Sequence, residues 1–159
     1  MKFLKVDKDN LVFQIGKREK HMLFEVLKLY PLLPSTHQRL TKTVETEEEK
    51  ANQKLLEEAM AAQQQENRKQ LATLLENPNR FLENHAGYHF TLDAHQTEWL
   101  LQVLNDIRVG SWLALGSPDE KQGRPAAFSP GNVRHLWAME VCGFVESVLL
   151  DALHGRGQS

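Results

Sequence analysis

The stretch Trp99 to Arg108, WLLQVLNDIR, constrains the fold more than any other part of the chain. Wound at about 3.6 residues per turn, it brings Leu100, Leu104, Ile107 and, further on, Leu115 to one face. A face of this kind must be covered by other elements, so the chain is expected to build a packed core around this helix. Arg108 falls at the edge of the apolar stripe, with Asn105 and Asp106 to either side of it. A guanidinium beside a core needs hydrogen-bonding partners, because an unpaired buried charge is very costly. The helix therefore carries either an internal ion pair or a recognition site.

The chain of 159 residues favours a single domain, placed at residues 1–154 with a disordered tail at 155–159. A domain of that size buries roughly two thirds of its unfolded surface and needs no covalent staples. The single cysteine, Cys142, excludes an intramolecular disulfide and reads as a buried, inert thiol. A net charge of −2 and a pI near 6.4 argue against a phosphate-tracking nucleic-acid binder and against an obligate binder of anionic membranes. Met1 to Asn10 has no apolar signal region, and no run approaches the ~18 apolar residues of a membrane span. The protein is therefore expected in the cytoplasm.

Phe3–Val6 and Leu11–Ile15 are β-prone runs joined by Asp7-Lys8-Asp9-Asn10, which predicts a β-hairpin with a four-residue connection. A lone hairpin is marginal in water and must pack on helices. A helix follows over Lys17–Tyr30, with Leu23, Val26, Leu27 and Tyr30 on its inner stripe, ended by Pro31 and Pro34. His21 and Glu25, one turn apart on it, suggest a surface pair. His37 to Thr43 reads as a polar connection.

Thr46 with Glu49 is a capping-box signature opening a long helix to Leu75. Its apolar positions are Ala51, Leu55, Ala59 and Ala62, then Leu71, Leu74 and Leu75. Between them Gln63 to Gln70 holds no apolar residue, which implies a solvated segment, a break into two helices, or a surface that meets another chain. The solvated reading is the default. Asn77-Pro78-Asn79 ends the helix, and Phe81 to Phe90 reads as irregular. Asp93 with Gln96 caps the next helix, to about Leu115, where small Gly110 and Ser111 allow a close crossing. Gly116 to Asn132 reads as a mobile loop. The last helix, Val133 to Leu153, shows a main stripe at Trp137, Val141, Phe144, Val145, Val148 and Ala152. A second stripe runs through Leu136, Met139, Gly143 and Leu150.

The fold class expected is thus mainly α (α+β): an N-terminal β-hairpin packed on about four principal helices.

For Asn105, Asp106 and Arg108, one reading is a recognition site in which Arg108 grips a carboxylate bidentately. The other is an internal network between Arg108 and an acid of the last helix, Glu140 or Glu146, and this is favoured because such networks commonly fix helix packing. A buried pair of that kind would lose roughly 2–4 kcal/mol on Arg108→Ala. His85, His89 and His95, with Asp93 or Asp106 nearby in sequence, suggest a metal site, but their spacing matches no established ligand pattern. No phosphate loop or nucleophile elbow is present, and no cofactor is implied. The favoured function is a non-enzymatic interaction or regulatory module whose partner is another protein. The alternative is a small metal-dependent enzyme using His85, His89 and His95. The twin stripe of the last helix and the polar middle of the long one both suit a homodimer.

Trp99-Leu100, then Leu104-Asn105-Asp106-Ile107-Arg108, then Leu115-Gly116 resemble a family of small uncharacterised bacterial helical proteins, classed as a domain of unknown function. Trp137 and the Glu146-Ser147 pair extend the likeness to the last helix. The resemblance implies no activity. Some relatives are encoded near an adaptor of the Clp protease, so the resemblance implies a regulatory or adaptor role linked to proteolysis.

Overall fold

The computed structural model describes residues 1–33, 46–116 and 130–157. The N-terminal hairpin forms as its alternation demands, with β1 (Lys2–Asp7) antiparallel to β2 (Asn10–Ile15). Asp7 pairs with Asn10, so the connection is a two-residue turn rather than four, with Lys8 in the left-handed region at φ 57°. Leu11, Phe13 and Ile15 send one face of β2 into the core.

Residues expected to be irregular form a second hairpin, β3 (Phe81–Asn84) and β4 (Gly87–Asp93), turned at His85-Ala86. Its cause is visible in β4, where Tyr88, Phe90 and Leu92 alternate with His89 and Thr91. β4 joins the first hairpin along β2, with Phe13 opposite Phe90 and Leu11 opposite Leu92, giving an antiparallel sheet of order β1-β2-β4-β3. Phe81 stacks on Phe90 at a centroid distance of 4.6 Å. Gly87 (φ 133°) lies so close to β2 that a Cβ would stand 2.4 Å from the Ile15 carbonyl oxygen. Lys20 caps this aromatic layer, its ammonium 4.1 Å from the Tyr88 ring centre and 4.8 Å from that of Phe81.

The first helix, α1 (Lys17–Leu27), starts where the Glu19 carboxylate accepts the Gly16 N–H, and ends one turn before Tyr30. Leu23, Val26, Leu27 and Tyr30 are all buried. Glu25 pairs with Lys28 at 2.7 Å, and His21 adds a weaker electrostatic attraction to the same carboxylate.

From the Thr46–Glu49 capping box, α2 (Glu47–Glu76) continues as one unbroken helix. The polar middle is neither a break nor wholly solvated, because Asn67 is buried and Gln64 half-buried in line with Met60, Leu71 and Leu74. By contrast Ala51, Leu55, Ala59 and Ala62 face solvent, Leu55 with 64% exposure.

Asp93 and Gln96 bond each other's backbone N–H groups and open α3 (Ala94–Ala114). Leu100, Val103, Leu104 and Ile107 are fully buried, whereas Leu115 is half-buried. α4 (Pro130–Gly157) makes the most extensive helix–helix contact, with α3. Its inner stripe is Ala138, Cys142, Val145, Leu149 and Ala152, one position round from the expected Trp137–Val141 line, and Phe144 is 48% exposed. Small Ala138 and Cys142 let α3 approach closely, which decides a phase that a helix apolar on most sides leaves open. Residues 155–157 belong to α4 and not to a disordered tail; 158–159 lie outside the described residues. So do Pro34, the His37–Thr43 connection and most of the Gly116–Asn132 segment, whose last three residues form the first turn of α4.

The whole is an α+β fold in which the sheet, α1, the second half of α2, α3 and α4 share one core. No helix among the described residues is long and apolar enough to cross a membrane.

Candidate functional site

The polar residues of α3 do not act as one cluster. Asp106 is structural: its Oδ1 accepts the backbone N–H groups of Leu32 at 2.9 Å and Leu33 at 3.3 Å, fixing the chain that leaves α1. One turn on, Gly110 completes the seat, since a Cβ there would come within 2.4 Å of the Leu32 Cβ. The close crossing foreseen at Gly110 is therefore with the backbone of Leu32 and Leu33, not with a helix.

Arg108 does reach the last helix, and its partner is Glu146, Nη1 lying 3.5 Å from Oε2. The arginine is 50% exposed and the glutamate side chain 11%, so the pair is half in water rather than buried. Among the described residues, Glu146 Oε1 and the fully buried Ser111 Oγ have no hydrogen-bond partner. Burial pushes the Glu146 carboxyl above its usual range, against the opposing pull of the Arg108 charge. The neighbouring Cys142 thiol is pushed up to about 12 by burial, reinforced by Glu146 and opposed by Arg108. A thiol in that condition is no nucleophile. Glu140 takes no part in this pair and stands exposed on α4.

A polar network that the sequence did not disclose ties α2 to the body. Asn67 donates to the Tyr30 hydroxyl at 2.9 Å and accepts from Trp99 Nε1 at 3.0 Å. Gln64 donates to the Leu33 carbonyl at 2.7 Å. The detectable signal is spacing: Met60, Gln64, Asn67, Leu71 and Leu74 follow a regular four-three repeat once polar side chains are admitted to it.

The histidines are dispersed. His85 is in the β3–β4 turn, His89 lies four residues, roughly 13 Å of chain, along β4, and His95 starts α3. Asp106 is committed to Leu32 and Leu33. No group of three or more side chains suited to hold a metal comes together among the described residues.

Three of the concave surfaces among the described residues are the most relevant to binding. A polar cleft of about 400 Å³ between α2 and the start of α3 is lined by Lys69, Arg80, His95 and Trp99, but Arg80 is spent on the Thr91 carbonyl and Gln96, both at 3.1 Å. A second cleft, richer in carboxamides, lies further along the same two helices and includes Asn105.

The third is an apolar pocket of about 210 Å³ between α1 and α4, walled by Ile15, Met22, Trp137, Val141 and Phe144. Two carboxylates complete the wall, Glu19 and Glu140. Glu19 is ion-paired with the Met1 ammonium. Burial pushes the Glu19 carboxyl up, but the Met1 ammonium and the Gly16 N–H outweigh it and hold it below its usual range. Glu140 has no ion-pair or hydrogen-bond partner among the described residues. The pocket is suited to receive one apolar side chain whose neighbourhood is neutral or cationic.

No protein-family model, curated protein or solved structure matches the chain.

Proposed function

We propose that this chain is a non-enzymatic interaction or regulatory module of the bacterial cytoplasm, docking a partner protein's apolar side chain in the α1–α4 pocket. The observation that carries the reading is that pocket: an almost wholly apolar cavity whose edge is formed by Phe144 at 48% exposure. Partially exposed aromatic anchors beside a desolvated pocket are the usual hot spots of protein interfaces. Val133, three turns before Phe144 on the same side of α4, adds exposed apolar surface to it. The resemblance of the Leu104–Arg108 and Leu115–Gly116 segments to a family with relatives encoded near a Clp adaptor points to a proteolytic pathway as the partner's source.

The test is a crosslinked affinity capture from a bacterial lysate, comparing wild type with Phe144→Asp. The new carboxylate, placed beside Glu140, should abolish capture of any specific partner while the circular dichroism spectrum and melting curve stay as in wild type. Equal capture by both proteins would refute the pocket as the docking point. Light scattering on the purified chain reads the homodimer: a mass of two chains that falls to one in Phe144→Asp would make a second copy the partner.

A further inference from the structure

At about 210 Å³, the α1–α4 pocket falls below the roughly 300 Å³ at which small-molecule clefts begin. It suits one side chain rather than a metabolite. Ile15, Met22 and Val141 present only hydrocarbon and a thioether to it. Methionine, unbranched and polarisable, adapts to varied apolar shapes. These walls select an apolar side chain without choosing among leucine, isoleucine and methionine. Selectivity then comes from the few polar groups of the wall, as in most pockets. Here they are the carboxylates Glu19 and Glu140.

Glu19 is already engaged. It pairs with the Met1 ammonium and accepts the Gly16 N–H. Met1 lines the same pocket, so the two charges offset each other. Glu140 differs. It is exposed, three residues after Trp137 and four before Phe144, the two aromatic walls. Positions three and four apart are neighbours on a helix surface, with Cβ atoms about 5–6 Å apart. On α4 the Glu140 carboxylate is thus flanked by an indole and a phenyl ring, and all three border one apolar cavity.

A surface carboxylate alone selects nothing. A carboxylate between two aromatic side chains is complementary to a flat cation. A guanidinium bonds a carboxylate through paired N–H groups and also stacks on aromatic faces, which an ammonium does not do. Cation–π attraction adds to the ion pair. A carboxylate on the partner would instead meet Glu140 as a like charge. In an extended chain, side chains two residues apart lie on one side, about 6.6–6.8 Å from each other. That is close to the step along α4 from Phe144 to Glu140, and the flexible arginine stem closes the difference.

We infer that the partner segment docked in the α1–α4 pocket carries an arginine two residues from its apolar anchor, with the guanidinium held by Glu140 between Trp137 and Phe144. The inference rests on the pocket reading above and adds to it the charge and identity of the partner's second contact.

The experiment is a nuclear magnetic resonance titration of the ¹⁵N-labelled full chain, read on the Trp137 indole N–H signal. The first probe is the capped peptide acetyl-Ser-Leu-Ser-Arg-Ser-amide. Two others replace its arginine, one by citrulline, an uncharged isostere, and one by glutamate. A fourth replaces its leucine by glycine. The arginine peptide should bind roughly three- to fivefold more tightly than the citrulline peptide, and the glutamate peptide more weakly than either. Loss of the leucine should weaken binding at least roughly tenfold. In Glu140→Gln the preference for arginine over citrulline should vanish. Equal binding of those two peptides to wild type overturns the inference and leaves the pocket reading standing. A preference that survives Glu140→Gln does the same. Equal binding of the leucine and glycine peptides means that the cation is attracted without an anchor, and the inference falls. A Trp137 signal unmoved by all four peptides up to their solubility limit overturns the pocket reading and this inference with it. The arginine–citrulline contrast is read on wild type and needs no variant to fold.

Discussion

Glu146 lies between α3 and α4 with 11% of its side chain exposed, its Oε1 without a donor among the described residues and its Oε2 3.5 Å from a half-exposed Arg108. A guanidinium half in water contributes little to such a pair, about 0–1 kcal/mol, so Arg108→Ala should cost far less than a buried pair would imply. Desolvation is the larger effect on the carboxylate and raises its folded pKa above the ordinary 4.5. A group of this sign binds its proton more tightly in the folded chain. Its full contribution is present below the ordinary value and is lost as pH rises through the raised one. Glu19 has the opposite sign, its lowered pKa favouring the folded chain above 4.5 and losing that contribution as pH falls. Replacing Glu146 alone isolates its share, because Glu19 is common to both proteins. Glu146→Gln should therefore raise unfolding stability at pH 8 by on the order of 1 kcal/mol relative to wild type, and the gain should shrink as pH falls to 4. Urea denaturation at pH 8, 6 and 4 reads the difference, and a gap that does not vary with pH would mean that Glu146 keeps an ordinary pKa.

The elements were legible to different degrees, and the physical reasons differ. Capping boxes were read correctly at Thr46–Glu49 and Asp93–Gln96 because they are local, needing only a short side chain and a partner three residues on. The three buried residues of α1, Leu23, Val26 and Leu27, were equally plain from their helical spacing, as was Tyr30 one turn beyond its end. The phase of α4 was not, because it offers apolar residues in nearly every direction and α3 selects those small enough for close approach. Asn67 escaped notice because carboxamides are normally exposed; its burial depends on Tyr30 and Trp99, 37 and 32 residues away. The β3–β4 hairpin went unread although β4 alternates, because β3 is only four residues long and its His85-Ala86 turn lacks the usual turn residues. Of the candidate site residues, Glu146 is one of the two acids expected opposite Arg108, though the pair is half-exposed rather than buried, while the roles of Asp106 and Gly110 come from a backbone distant in sequence. In an exposed helix interior Gly→Ala stabilises by about 0.5–1 kcal/mol, but at Gly110 the added methyl meets Leu32 Cβ at 2.4 Å and its carbonyl carbon at 3.0 Å. Overpacking against backbone costs about 1–3 kcal/mol and reverses the sign. Gly110→Ala should lower the unfolding midpoint, whereas Gly143→Ala, where a Cβ meets nothing within 4 Å, should not. Equal midpoints for the two variants would show that the Leu32 segment yields to the methyl at no cost.

Across the whole molecule, α2 is attached differently from the other helices. Its thirty residues span about 45 Å, yet only Gln53, Asn67, Leu71 and Leu74 are buried, three of them in the last ten residues. The first half presents Ala51, Leu55, Ala59 and Ala62 to water and contributes no residue to the shared apolar core. A helix is held chiefly by burial of one face rather than by intrinsic propensity. Local opening should therefore cost least where that burial is missing, independently of global unfolding. Native-state hydrogen exchange should show a gradient along one continuous helix: amides of 55–63 least protected, those of 69–75 intermediate, and those of Leu100 to Ile107 in α3 exchanging only through global unfolding. The step should fall near Asn67, where the hydrogen bonds to Tyr30 and Trp99 fasten α2 to the body. Asn67→Ala should move that step towards the C-terminal end of α2 while leaving the slowest α3 amides governed by the global free energy. Uniform protection from Leu55 to Leu75 would mean that α2 opens as a single unit with the core, and that the polar seam is not where its attachment begins.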